Sequence, residues 1–203
     1  MRFPAFFDDA PRIRVHDPLS AFLGASDGGM LEYGYADAVK LAGHSCPTLA
    51  GAYLMTVKAL KHLYGETPPE RGGIEVFFRE METTSATGVM ARVAALLTGA
   101  AGDDGFKGIG GRFDRRNRLF FGAAISGDMA LRRLDTQAGV QVHFNGAVVP
   151  SAPETRDLLP AVLNGYGTPE DAERFRALWQ GRVKGILVDY ADDPALVVLT
   201  DWA

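Results

Sequence analysis

From Pro47 to about Tyr64 the chain carries Leu49, Ala50, Tyr53, Leu54, Val57, Leu60 and Leu63 at three-to-four spacing, with Lys58 and Lys61 marking one wet side. That periodicity predicts a helix that is apolar over most of its circumference. Such a helix must be enclosed on most sides, so the rest of the chain has to be built around it. Pro47 suits the first helical position, where its missing N–H would be unpaired anyway, and Gly65 supplies a stop.

The turn before this helix, Ala42-Gly43-His44-Ser45-Cys46-Pro47-Thr48, holds the only cysteine in the chain and one of its four histidines. With Pro47 at the first helical position, Cys46 falls at or next to the N-cap. Sulfur there feels the positive end of the helix macrodipole, which favours an anionic thiolate. A thiolate beside an imidazole is either a metal site or a nucleophile.

Composition narrows the choices. The chain has 203 residues, 47% hydrophobic and 23% charged, which is enough for one domain with a substantial core. A net charge of −4 argues against an electrostatic nucleic-acid footprint. Arg112, Arg115, Arg116, Arg118, Arg132 and Arg133 do cluster, and we expect a solvated basic patch beside acidic neighbours. A single cysteine excludes an internal disulfide and any all-cysteine metal site within one chain. The start, Met1 to Asp9, lacks the features of a signal peptide, and no run approaches the ~20 apolar residues needed to span a bilayer. A cytoplasmic setting with no membrane partner is therefore expected.

Along the chain, residues 1–18 read as an irregular lead-in, and His16-Asp17-Pro18 as the cap of a short helix over Leu19 to Leu23, closed by Gly24. Met30 to Leu41 fits one helical face, with Gly43 as its terminator. Gly73 to Arg79 alternates like a strand. Ser85 to Leu97 is again helical, stopped by Gly99. Leu119 to Ile125 and Gln141 to Val149 read as strands that pair with each other. Pro150 opens a second loop, Pro169 to Val183 is an amphipathic helix, and Ala195 to Thr200 a short apolar strand. The expectation is a single α+β domain over residues 1–203, with helices packed on a mixed β-sheet, a core at about 30–150 and a C-terminal helical extension at 151–203.

His44 and Cys46, as an i, i+2 pair in a turn, suit zinc, iron, nickel or copper, with zinc, iron or nickel preferred. Two ligands do not complete a site. His16 in the lead-in and His143 in a strand are the further candidates, whereas His62 reads as exposed and structural. The competing reading is a metal-free thiol enzyme with Cys46 as nucleophile. Two-residue spacing is awkward for a direct bond from His44 to the sulfur. The loop from Thr98 to Phe113 is glycine-rich, so its backbone N–H groups, with Lys107, Gly108 and Arg112, could grip an anionic substrate. It matches no phosphate-loop or dinucleotide pattern. Trp179 reads as a packing residue or, if exposed, a partner contact.

Gly43-His44-Ser45-Cys46-Pro47, followed by Gly51-Ala52-Tyr53, then Leu97-Thr98-Gly99-Ala100 and Gly105-Phe106-Lys107-Gly108, resembles the FmdE family, which takes its name from the molybdenum formylmethanofuran dehydrogenase. The resemblance covers about residues 30–125, with a weaker echo from Phe175 to Leu187. It implies an α+β core of the type shared with a glyceraldehyde-phosphate dehydrogenase domain, transition-metal binding at the His-x-Cys turn, and a homodimer. Only His44 and Cys46 carry over as ligands. Many relatives read His-Gly-His where this chain has Ala42-Gly43-His44. Cysteines common in relatives are replaced here by residues such as Val89 and Ala100, and the C-terminal zinc ribbon of longer members is missing. The resulting expectation is a metal-binding, accessory or cofactor-handling homodimer, with zinc the first choice of ion; turnover is left open.

Overall fold

The computed structural model describes residues 2–202; Met1 and Ala203, the ends of the expected lead-in and domain, lie outside it. The long apolar segment is a helix, α3, over Pro47–Tyr64, capped by Cys46 and ended by Gly65. Nearly every side chain from Leu49 to Leu60 is buried. Two shorter helices, α2 (Tyr35–Ala42) and α4 (Thr87–Thr98), pack against it. Gly43 and Gly99 terminate them in the left-handed conformation that glycine adopts without a Cβ penalty.

The other wall of the core is a five-stranded sheet. Its strands are β3 (Ile74–Phe78), β4 (Leu119–Phe120), β5 (Met129–Arg133), β6 (Gly139–Phe144) and β7 (Val197–Trp202), in the spatial order β4-β3-β5-β6-β7. Only the β3–β4 pair is parallel, so the sheet is mixed and the class is α+β. Ile74, Val76, Phe78, Leu131, Val140 and Val142 line the buried face. Phe144 follows them with period two, and its ring lies over Gly51 of α3, where an added Cβ would come within 2.8 Å of it. The helix thus approaches the sheet closely because residue 51 has no side chain.

Several local expectations are corrected. Met30 to Leu41 is not one helix. Residues Met30–Tyr33 form β2, which pairs antiparallel with β1 (Ile13–His16), and Gly34 then caps α2. Leu31 and Tyr33 also alternate with period two, and the partner strand inside the supposed irregular lead-in decides the matter. The strands at 119–125 and 141–149 do not pair with each other. β4 joins β3, and β6 pairs with β5 and β7. The Arg132-Arg133 end of β5 masks it as a strand. The loop after Pro150 contains α5 (Pro153–Leu163), a half-exposed helix that packs on α6 (Pro169–Lys184). The short helix α1 (Pro18–Leu23) begins at Asp17 and closes at Gly24 as expected. Within residues 151–202, β7 completes the sheet, and a π-helical turn at Gly185–Asp189 buries Ile186 and Leu187 in the core.

Among the described residues, no helix is long and apolar enough to cross a membrane.

Candidate functional site

The turn from Gly43 to Cys46 joins α2 to α3, and its shape follows from its two ends. Gly43 at φ +75° ends α2, and Cys46 in an extended conformation begins α3. The Leu49 N–H donates to Cys46 Sγ at 3.4 Å, so the sulfur takes the N-cap position usually held by a hydroxyl or carboxylate oxygen. His44 is exposed and Cys46 is half-buried.

The imidazole is oriented from behind. His44 Nδ1 lies 3.1 Å from the Ala42 carbonyl, which can only accept, so Nδ1 donates there, and in the neutral ring this leaves the lone pair on Nε2. Nε2 in turn lies 3.5 Å from Cys46 Sγ. The two-residue spacing therefore does permit direct sulfur–imidazole contact, because the intervening Ser45 is turned inward.

Ser45 is the anchor. Its hydroxyl donates to Gln180 Oε1 at 3.0 Å and lies 3.0 Å from the phenol of Tyr35, which in this arrangement is the donor. Its carbonyl accepts from Trp179 Nε1 at 3.0 Å and from Gln180 Nε2 at 3.3 Å. Burial pushes the Tyr35 phenol far up, which keeps it a neutral hydrogen-bond donor. One residue of the turn is thus held by α2 on one side and α6 on the other, leaving the flanking His44 and Cys46 side chains free to converge. Trp179 is not merely a packing residue, and the parts played by Tyr35, Ser45 and Gln180 escape sequence reasoning. Their only sequence signal is Ser45 lying between the two candidate ligands.

The remaining candidates lie elsewhere. His143 is on the sheet face opposite α3 and pairs with Asp128 at 2.9 Å. His16 lines a cleft of about 610 Å³, together with Arg112 and with Tyr64 from the C-terminal end of α3. Eighteen residue steps at about 1.5 Å each put Tyr64 roughly 27 Å from Cys46. Arg112 is therefore not brought to the sulfur; in the same loop Lys107 is exposed and Gly108 half-buried. Among the described residues, no group of three or more His, Cys, Asp or Glu is placed to hold a metal. His62 is exposed and pairs with Asp201 at 2.8 Å.

The arginine cluster is only partly the solvated patch expected. Arg116 pairs with Asp114, and Arg133 with Asp135, at the surface. Arg115 is buried at 7% exposure, and its guanidinium bonds Asp17 at 2.7 Å.

Comparison with curated proteins gives no match. A family model does match, and it runs from Leu41 through α6, further than the residues that first carried the resemblance. It therefore takes in the turn, Trp179 and Gln180 alike. The model, described as FmdE, Molybdenum formylmethanofuran dehydrogenase operon, matches residues 41–193, well over half of the sequence, and the chain belongs to the FmdE family.

Proposed function

We propose that this FmdE-family chain binds a transition-metal ion through His44 Nε2 and Cys46 Sγ, and that it has an accessory, metal- or cofactor-handling role. The observation that carries the reading is the imidazole held by its Nδ1–H on a backbone carbonyl, with Nε2 turned to the sulfur at 3.5 Å. Metal-bound histidines typically donate their other ring N–H in this way, which sets tautomer and orientation. The separation also fits: nitrogen and sulfur ligands of one tetrahedral zinc, at about 2.05 and 2.3 Å from it, lie about 3.5 Å apart. Zinc is the first choice on this donor set, with iron or nickel sharing it. A bound ion of this kind would supply a Lewis-acidic centre at the protein surface.

The pair leaves coordination positions for other molecules. A second copy in a homodimer would contribute its own imidazole and thiolate, giving a two-histidine, two-cysteine set. Leu41 at 49% and Val89 at 36% exposure flank His44 across a shallow, largely apolar cleft, which suits such an isologous contact. A small-molecule ligand could fill the same positions. We place the protein in the cytoplasm, where a free cysteine is kept reduced.

Elemental analysis of protein purified without added metal tests the reading. Roughly half to one equivalent per chain is expected, lost in Cys46→Ala and in His44→Ala. Less than about a tenth of an equivalent, unchanged by Cys46→Ala, would overturn it. A metal-free thiol enzyme is the second reading, favoured by the N–H donated to Cys46 Sγ. Its nucleophile would be Cys46 with His44 as base. Because Arg112 is at the other end of α3, the glycine-rich loop would not hold the substrate of that chemistry.

A further inference from the structure

The cleft at the C-terminal end of α3 is walled by four arginines, Arg71, Arg112, Arg115 and Arg118. Its cations outnumber the carboxylates available to them. Arg71 and Arg115 share one carboxylate, buried Asp17, at 2.9 and 2.7 Å. Asp114 and Asp135 also line the cleft, but Arg116 and Arg133 each take one of them in a two-point pair. Glu70 is exposed at the rim. Among the described residues, Arg112 and Arg118 have no carboxylate in ion-pair contact.

The same wall contains donors without acceptors. Arg115 Nη1, Arg118 Nε and Arg118 Nη1 are buried and have no hydrogen-bond partner among the described residues. The Arg115 side chain is only 8% exposed, so this is not a guanidinium with water at hand. Buried polar atoms in native proteins nearly always have partners, and an orphaned cluster points to a water, ion or ligand.

The backbone is shaped around this charge. A Cβ at Gly72 would overlap the Arg115 guanidinium, and one at Gly99 would stand 2.8 Å from its Nη1. Both glycines have positive φ, at +89° and +71°. Two glycines, a buried aspartate and a buried arginine make a constructed site rather than a surface accident.

We propose that this cleft binds a small molecule through an oxyanion group, a phosphate or a carboxylate, held by Arg115 and Arg118 with Arg112 at the mouth. Guanidinium groups present paired N–H donors that match oxyanion geometry. The cleft volume of about 610 Å³ is in the range of small-molecule sites and exceeds what a simple anion needs. Tyr64, Phe113 and Leu134 offer apolar surface for the remainder of the ligand. Because the cleft is roughly 27 Å from Cys46 by the rise of α3, it stands whether or not a metal binds there.

Isothermal titration of the full chain with pyrophosphate and with citrate, at matched ionic strength, tests the proposal and separates the two oxyanion types. Saturable binding of at least one probe is expected, weakened at least about tenfold in Arg118→Gln and unchanged in Cys46→Ala. Should Arg118→Gln fail to fold by circular dichroism, Arg112→Gln, an exposed position, takes its place with the same direction of effect. No saturable binding of either probe up to about 10 mM, or binding indifferent to both arginine substitutions, overturns the proposal. Binding abolished by Cys46→Ala would likewise overturn it, by placing the anion at the turn.

Discussion

Trp179 donates its indole N–H to the carbonyl of Ser45 across 3.0 Å and 134 residues of sequence. The bond fixes the peptide between the two proposed metal ligands from a helix that approaches late in the chain. Trp179→Phe keeps most of the packing and removes the donor. The expected cost in stability is about 1 kcal/mol, because the half-buried carbonyl retains Gln180 Nε2 as a partner. Zinc affinity, measured by competition with a chromogenic chelator, should fall by roughly tenfold, as for other supporting residues of metal sites. Affinity equal to that of the parent would show that the turn is rigid without the indole.

Cys46 has two separable duties, capping α3 and presenting sulfur to a metal. Serine retains an acceptor for the Leu49 N–H, and alanine does not. Thermal and urea unfolding should show Cys46→Ala destabilised by about 0.5–2 kcal/mol relative to Cys46→Ser. Both variants should lose bound metal. If Cys46→Ser keeps its full metal content, the sulfur is not a ligand.

Asp17 links stability to pH. Burial alone would raise its carboxyl pKa, but hydrogen bonds from Arg71 and the Ser20 N–H, with the charge of Arg115, outweigh burial and hold it below the usual carboxylate range. A pKa depressed in the folded state gives stability that is fully present above the unfolded value of about 3.9 and is lost as pH falls through the folded value. Urea midpoints of the parent should therefore drop below about pH 4. Asp17→Asn should be less stable by about 3–5 kcal/mol at neutral pH, since it leaves Arg115 buried without its counter-charge. The variant should also show a flatter acid limb; an unchanged slope would assign the acid sensitivity to other carboxylates.

Gly51 sets the distance between α3 and β6. Alanine is the better helix former by about 1 kcal/mol, yet its methyl would press on the Phe144 ring at 2.8 Å. Displacing a ring in a packed core costs about 1–3 kcal/mol, so a net loss of up to about 2 kcal/mol is expected. Gly51→Ala combined with Phe144→Leu should recover part of it, and a double variant no better than the single would place the strain elsewhere.

The features legible in the sequence are those with local causes. Pro47, the apolar repeat through Leu60 and the stop at Gly65 specify α3. Gly24, Gly43 and Gly99 end their helices because each lies at a left-handed position. The adjacency of His44 and Cys46 follows from a turn that Pro47 and Gly43 bound on either side.

What the sequence could not show depends on partners far along the chain. Met30–Tyr33 has both helical and strand character, and only β1 resolves it. Arg115 is indistinguishable in sequence from its neighbour Arg116, which pairs at the surface, yet Asp17, 98 residues away, and two glycines draw it into the interior. Likewise, nothing near residue 45 announces that Trp179 and Gln180 will grip it. The sequence alone determined a central helix, an α+β class and a His-x-Cys turn at a helix start, because capping and periodicity act over a few residues. Tertiary structure decided which side chain of that turn faces inward and placed the arginine cleft at the far end of the same helix. Those outcomes depend on burial and charge pairing between segments whose separation in sequence carries no signal.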